Sequence, residues 1–529
     1  MVSFRISLVI SLSVWMLAFL FYPTKNPGTD RSEIKLKITF SDSLSGKQLA
    51  MQYCQRCHLF PEPALLDKKT WTESVLPNMG QRLGLQFPGR ALYVDMEPAD
   101  KEIIKKLGTY PETALISIQE WEKIVAYYVE TAPEKPLPQK TSSIPVAPLT
   151  SFKATSLTVG DKSVPKTTLL KFDPAPAQLY VGDDQNALYV LDKSFQLKDT
   201  WWIDTPPVDI DFPKNAPPRL LTIGKFEPSD QKLGGMISLS KSQVPQAAVN
   251  IANLPRPVQF TAADLNMDGK EDVIICGFGN NAGKLFWYDG FDPQKEHILK
   301  RLPGARKTEV LDLNRDKKPD IVALTSQAWE NVSIFYNLGN GKFEEKVVLQ
   351  FPPSYGVNYF EMVDFNKDGF QDILLTNGDN WDLSAIPKNY HGVRIYLNDG
   401  KDNFKEAWFY PLYGASKAMA RDFDNDGDLD IAAVSFYTDL QNPADAFVYL
   451  SNEGNFHFKA QVTPEAASGK WMTMEAGDFD QDGDIDIALG SYFHVLGEMS
   501  KLMSHGVLSF PQLLLLTNLK SKAQKNGRR

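Results

Sequence analysis

Residues 422–433 read "DFDNDGDLDIAA", with carboxylates at Asp422, Asp424, Asp426 and Asp430, a glycine at Gly427, and an apolar run directly behind. Side-chain oxygens at the first, third, fifth and ninth positions, with the carbonyl of the seventh, converge on one hard cation, and the glycine at the sixth permits the sharp turn. The stretch lacks the glutamate at the twelfth position that closes an EF-hand. It leads into a β-rich run, so it reads as a loop between two strands.

The pattern recurs. "DLNMDGKEDVII" starts at Asp264, "DLNRDKKPDIVA" at Asp312, "DFNKDGFQDILL" at Asp364 and "DFDQDGDIDIAL" at Asp478, at intervals of 48, 52, 58 and 56 residues along the series. Each is followed by an aromatic or apolar strand such as "KLFWYDG", "VSIFYNLGNGKF" or "AFVYLSNEGNF". A unit of about 50 residues holding four short strands is what one propeller blade requires.

Four copies fit the cation pattern fully: Asp264/Asn266/Asp268/Asp272, Asp364/Asn366/Asp368/Asp372, Asp422/Asp424/Asp426/Asp430 and Asp478/Asp480/Asp482/Asp486. A fifth, Asp312/Asn314/Asp316/Asp320, has Lys317 where the others have glycine, and is expected to hold an ion weakly or not at all. Four to five Ca²⁺ are therefore expected. The formal net charge of −9 is then largely that of ion cages.

These repeats resemble the FG-GAP/VCBS family of β-propellers, the kind of blade found in integrin α-subunit heads. The match spans about residues 255–520. Two weaker units lie upstream, "VDIDFPKNAPPRLLTIGKF" from Val208, with Asp211 as its acidic residue, and "AQLYVGDDQNALYVLDKSF" from Ala177. Together they imply about seven blades over 151–520, and the last strand, "VLSFPQLLLLTN", is placed to complete a ring begun near residue 150.

Ahead of the propeller, residues 133–150 are proline-rich and read as an extended spacer. Before that, residues 44–132 are of another kind. "YCQRCHLF", residues 53–60, holds two of the three cysteines of the chain, Cys54 and Cys57; the third, Cys276, lies in an apolar strand. Zinc is poorly supported, because the other histidines lack ligand spacing. A thioredoxin-type dithiol would follow a strand, whereas this pair follows a helix-like run. A c-type haem needs two thiols one helical turn apart for its vinyl groups and an imidazole directly after them; Cys54, Cys57 and His58 supply these.

Helical patterns follow at "LDKKTWTESVL" up to Pro77, "PADKEIIKKLG" from Pro98 and "SIQEWEKIVAYYVETA" from Ser117. The last opens with a Ser117/Glu120 capping box and sets Ile118, Trp121, Val125 and Tyr128 on one face. Over residues 44–132 the chain resembles the class I cytochrome c family, an all-α fold. That resemblance implies one covalent haem c with His58 as proximal ligand and a methionine from a loop as sixth ligand: Met79, in an expected turn after a helix broken at Pro77, or Met96.

Residues 1–22 hold a single basic residue, Arg5, followed by an uncharged apolar run from Ile6 to Tyr22, read as a membrane anchor or a secretory signal that places the rest on the periplasmic side of a membrane. The tail 521–529 is basic, and no basic stripe points to nucleic acid. The whole reads as a multidomain, exported electron carrier with a redox partner protein and a calcium-stabilised propeller for an extracytoplasmic ligand. The alternatives are a propeller oxidoreductase that passes substrate electrons to the haem, and an adhesion or scaffold protein. No catalytic set is legible.

Overall fold

The computed structural model describes residues 44–519 apart from 95, 141, 143, 161–162, 240–247, 380–382 and 440–441. The expected anchor at 1–22 and the basic tail at 521–529 lie outside the described residues. No helix among the described residues is long and apolar enough to cross a membrane. The chain divides into two compact units, Met1–Lys135 and Pro136–Arg529.

The first unit is helical. Ser45 caps the helix Gly46–Cys54 in a box with Gln48, and Ser117 does the same with Glu120 for the helix Ile118–Thr131. The two helices pack closely at Gly46, where a β-carbon would lie 2.1 Å from the Lys123 carbonyl oxygen. Leu49, Ala50 and Tyr53 are buried on one helix, and Trp121, Ile124 and Tyr128 on the other. Ile118, expected on the buried face, is exposed; Ile124 takes its place because it completes the stripe with Trp121 and Tyr128.

The helix expected to break at Pro77 does not. A single π-turn, Trp71–Val75, precedes the helix Leu76–Arg82, and the Leu76 N–H bonds to the Trp71 carbonyl five residues back. Widening the ladder there makes room for a ring that has no N–H and would strike the carbonyl four residues behind it. Met79 therefore sits inside a helix and not in a turn. The helix Pro98–Leu107 forms as expected and ends at Gly108 in the left-handed conformation.

The second unit consists of seven sheets, each with four consecutive or ring-closing antiparallel strands. Blade one starts at Thr167–Asp173, blade two at Pro207–Asp211, blade three at Pro257–Ala263, blade four at Ala305–Leu311, blade five at Val357–Val363, blade six at Ala415–Arg421 and blade seven at Trp471–Gly477. The second strands of every blade but the second, such as Asp272–Gly277 and Asp430–Ser435, are buried at every residue. They are covered on both faces by neighbouring blades, hence their unbroken apolar runs. Between blades six and seven, Met419, Phe423, Ala432 and Val434 pack with Trp471, Met474, Ile487 and Leu489.

The ring closes as expected. The last strand, Leu513–Asn518, pairs antiparallel with Phe152–Leu157, so the beginning of the propeller supplies the outer strand of blade seven. The proline-rich stretch belongs to this unit from Pro136 onward. Val146–Pro148 adds a parallel fifth strand to blade six, beside Phe458–Val462, and the Gln139 N–H donates to the Tyr413 hydroxyl at 3.0 Å.

Side chains of the innermost strands tie successive blades together. Asp209 accepts from the Phe260 N–H (3.1 Å), Gln259 from Thr308 (3.0 Å), Glu309 from Met362 (3.1 Å) and Glu361 from Ala420 (2.9 Å), and Lys417 donates to the Met474 carbonyl (2.7 Å). Backbone ladders do not run from blade to blade, so these bonds satisfy inner-strand groups that would otherwise lack partners.

Candidate metal centres and the CxxCH segment

Each acidic repeat forms the loop between the first and second strands of a blade, as its sequence position required. In blade six the Asp422 carboxylate accepts from the Asp426 and Gly427 N–H groups at 3.1 Å each, and Asp424 accepts from Asp426 at 3.2 Å. The same set recurs at Asp264, Asp364 and Asp478. The sixth-position glycines lie in the left-handed region, with φ from 85° to 99°. Asp422, Asp424 and Asp426 each bring an oxygen within 4.8 Å of the others, and so do Asp478, Asp480 and Asp486. Clustered, preformed oxygens of this kind suit a hard divalent cation.

The four fully matching loops differ in their carboxylate count. Among the described residues, Asp264, Asp268 and Asp272 of blade three form no carboxylate trio as tight as those two, and neither do Asp364, Asp368 and Asp372 of blade five. The reason lies at the third position, where Asn266 and Asn366 put a neutral amide in the place of Asp424 and Asp480. The amide oxygens still serve the turn: Asn266 accepts from the Asp268 N–H at 2.9 Å, and Asn366 from the Asp368 N–H at 3.1 Å. Asp268 and Asp368 in turn accept from the N–H groups of Lys270 and Phe370 at 2.9 and 2.8 Å. In blade five the Asn366 amide also donates to Asp368 Oδ2 at 2.8 Å, so its N–H occupies a lone pair that a cation would need. Blades three and five thus keep the loop with one carboxylate fewer, and blades six and seven hold the more strongly charged sets.

The ninth aspartates, Asp272, Asp320, Asp372, Asp430 and Asp486, open the second strands and are at most 1% exposed. Burial and the neighbouring carboxylates Asp424 and Asp426 push Asp430 up to about 6; burial together with Asp480 and Asp484 pushes Asp486 up to about 7. A cation among these groups would relieve that crowding.

An asparagine in each of four blades completes the arrangement, and sequence reasoning missed it. Asn337, Asn398, Asn452 and Asn518 each donate a backbone N–H at 2.8 Å to the ninth aspartate of their own blade. The Asn337 side chain also reaches the Leu265 carbonyl of blade three, and that of Asn518 the Phe423 carbonyl of blade six. The signal lay in the recurrence of Asn-x-Gly after the aromatic strand at Asn337, Asn398 and Asn452.

Blade four keeps the loop despite its missing glycine. Lys317 itself takes φ 66°, and its N–H bonds to Asp312 at 2.9 Å, as the glycines do elsewhere. The groups Asp312, Asn314 and Asp316 retain their mutual bonding. The cation that intrudes is Lys318, whose ammonium lies 2.6 Å from Asp316 Oδ2 and neutralises the fifth position. In blade two, Asp211 is not a loop residue but the last residue of the first strand, directly opposite Arg219.

In the first unit, Cys54 ends its helix and Cys57 lies in the following turn, both as free thiols. Burial pushes the Cys54 thiol up to about 12 and raises Cys57 as well. His58 Nδ1 donates to the Leu59 carbonyl at 2.8 Å, and burial pulls the imidazole below its ordinary value. That bond fixes the tautomer, leaving Nε2 with the lone pair, the state in which a histidine ligates metal. Trp71 is core: its Nε1–H donates to the Pro63 carbonyl at 2.9 Å and its ring meets Tyr128 at 4.4 Å. Met79 is half-buried in its helix, and Met96 is half-buried in the loop before the helix Pro98–Leu107. Cys276 is a fully buried strand thiol.

No curated protein matches the sequence. Among solved structures, the chain is similar to the Neurospora crassa Pan2 WD40 domain, at 13% identity and TM-score 0.42, covering 70% of this chain and 98% of that one. It is similar to the N-terminal domain of Nup159, at 10% identity and TM-score 0.41, covering 72% and 99%. For BBS1N, solved in complex with ARL6DN, the figures are 8%, 0.41, 70% and 97%. Residues 264–323, 312–375 and 422–489 match the FG-GAP-like repeat family. The chain thus carries FG-GAP-like repeats in an all-β propeller of seven blades.

Proposed function

We propose that this protein is an exported electron carrier with one covalent haem c, whose calcium-braced propeller is its binding platform. A propeller with FG-GAP repeats suits a binding or scaffold role, and the carrier reading rests on the Cys54, Cys57 and His58 segment of the helical unit. The observation that carries the reading is the His58 Nδ1–Leu59 carbonyl bond, which presents a neutral, oriented imidazole directly after two free thiols.

The bound haem would supply reversible one-electron chemistry at its iron. Cys54 and Cys57 would hold it by thioether bonds and His58 would be the proximal ligand. Because a ligand loop is the family's usual source of the sixth ligand, and Met79 lies in a helix, Met96 is the favoured methionine. Calcium would be held most tightly by the loops at Asp422 and Asp478, less tightly by those at Asp264 and Asp364, and most weakly by the Asp312 loop.

Metal and cofactor analysis of protein expressed with c-haem maturation machinery tests this reading. One iron per chain with several calcium ions supports it. Calcium without iron would reduce it to a binding or scaffold propeller.

A further inference from the structure

Between the outer strands of blades three and four the surface opens into a cleft of about 650 Å³. Trp287, 1% exposed, lies at its base, and His297, its cross-strand partner, stacks on it with ring centroids 4.1 Å apart and planes 13° from parallel. His297 is exposed, so its outer face is an aromatic platform backed by the indole. The Trp287 Nε1–H is buried and meets no acceptor within the protein. Buried donors are rarely left in that state.

Two carboxylates flank the platform. Glu296 is held by the Lys284 ammonium at 2.5 Å and the Tyr288 hydroxyl at 3.2 Å. Glu345 is held by Lys300 at 2.5 Å and the Ser333 hydroxyl at 2.8 Å. Each is neutralised and fixed while keeping lone pairs for another donor. Arg301, exposed on the same cleft, adds a fork of donors. With its carboxylates already paired to lysines, the cleft has no uncompensated negative charge to concentrate a small cation. Recognition there must come from stacking and directed hydrogen bonds.

A sugar ring offers both, with an apolar C–H face for the aromatic platform and hydroxyls around its rim for carboxylate and guanidinium. The geometry points to a saccharide-binding site in this cleft, with a neutral pyranose stacked on His297, hydroxyls donating to Glu296 and Glu345, and a ring or hydroxyl oxygen accepting from Arg301. A hydroxyl reaching the base would give the Trp287 N–H its acceptor.

Saturation-transfer-difference NMR on the full chain, with maltose, lactose and N,N′-diacetylchitobiose as probes, tests it. At least one probe should receive saturation at its ring C–H protons. His297→Ala should abolish the transfer and His297→Phe, which keeps a stacking face, should restore it. Glu345→Gln should weaken binding by about tenfold in Kd, as loss of a charge-assisted acceptor does. His297 and Glu345 are exposed, so an unchanged melting temperature certifies the fold of each variant. Absence of transfer to all probes, or transfer undiminished by His297→Ala, overturns the proposal.

Discussion

Asp211 and Arg219 face each other across the first hairpin of blade two, with the guanidinium Nε donating to Asp211 Oδ1 at 2.8 Å and Nη1 to Glu271 of blade three at 2.9 Å. Where blades three, five, six and seven close this hairpin with a loop of side-chain oxygens, blade two closes it with a side-chain cation. Arg219→Met keeps the apolar stem but removes the guanidinium that lies over Phe291 and unpairs both acids. A loss of about 1.5–3 kcal/mol is expected, as for hydrogen bonds to charged groups. Urea unfolding should show most of that loss both in calcium and in chelator, because the Asp211–Arg219 pair lies outside the calcium loops.

Calcium removal should act on the other blades. A site saturated a hundredfold above its Kd contributes about 2.7 kcal/mol, so excess chelator should lower the melting temperature markedly. Asp426→Ala and Asp482→Ala should remove part of that response. Asp268→Ala and Asp368→Ala, in loops with one carboxylate fewer, should remove less, and Asp316→Ala, whose carboxylate is already paired with Lys318, should remove least. A melting curve indifferent to chelator would contradict calcium bracing.

The buried ninth aspartates give the calcium-free protein a characteristic pH dependence. Burial raises Asp430 to about 6 and Asp486 to about 7, against about 4 in the unfolded chain. The folded state then holds protons that the unfolded state has released, so this contribution is complete below about pH 4 and is lost as pH rises through about 6 to 7. In chelator, melting temperature should fall over that window. In calcium, which displaces those protons, it should not. Asp486→Asn should flatten the chelator curve; equal slopes in both media would refute the crowding of carboxylates.

The axial methionine can be identified by spectroscopy. Thioether ligation makes ferric haem low-spin and gives a weak charge-transfer band toward the red edge of the visible spectrum. Met96→Ala should abolish that band, lower the reduction potential and open the ferrous haem to carbon monoxide, while Met79→Ala should change little. The opposite pattern would assign the ligand to the helix Leu76–Arg82.

Much of the propeller was legible because its period is written in side-chain chemistry. The Asp264, Asp312, Asp364, Asp422 and Asp478 loops fix five strand pairs, and the spacing leaves room for two more blades. What was hidden depends on contacts between distant residues. The Asn518 to Phe423 bond spans 95 residues, and no local pattern announces it. The difference between loops was written in the sequence but easily passed over, since asparagine and aspartate both offer an oxygen at the third position and only the aspartate adds charge. Lys317 looked disruptive because a β-carbon disfavours the left-handed region. Yet a β-carbon at the equivalent Gly269, Gly427 or Gly483 would meet nothing within 4 Å, so strain is the only penalty and the loop bears it. Pro77 reads as a helix stop, and the π-turn Trp71–Val75 that absorbs its ring has no local sequence signal.

The most direct measurement is the reduced pyridine haemochrome spectrum of the protein matured with c-haem machinery, taken after acid–acetone extraction has removed any loosely bound haem. A c-type spectrum at one haem per chain is predicted, lost in the Cys54→Ser/Cys57→Ser double variant and strongly reduced in His58→Ala. Protein that accumulates folded in the presence of that machinery but yields no haem on the chain after extraction would contradict the proposed electron carrier.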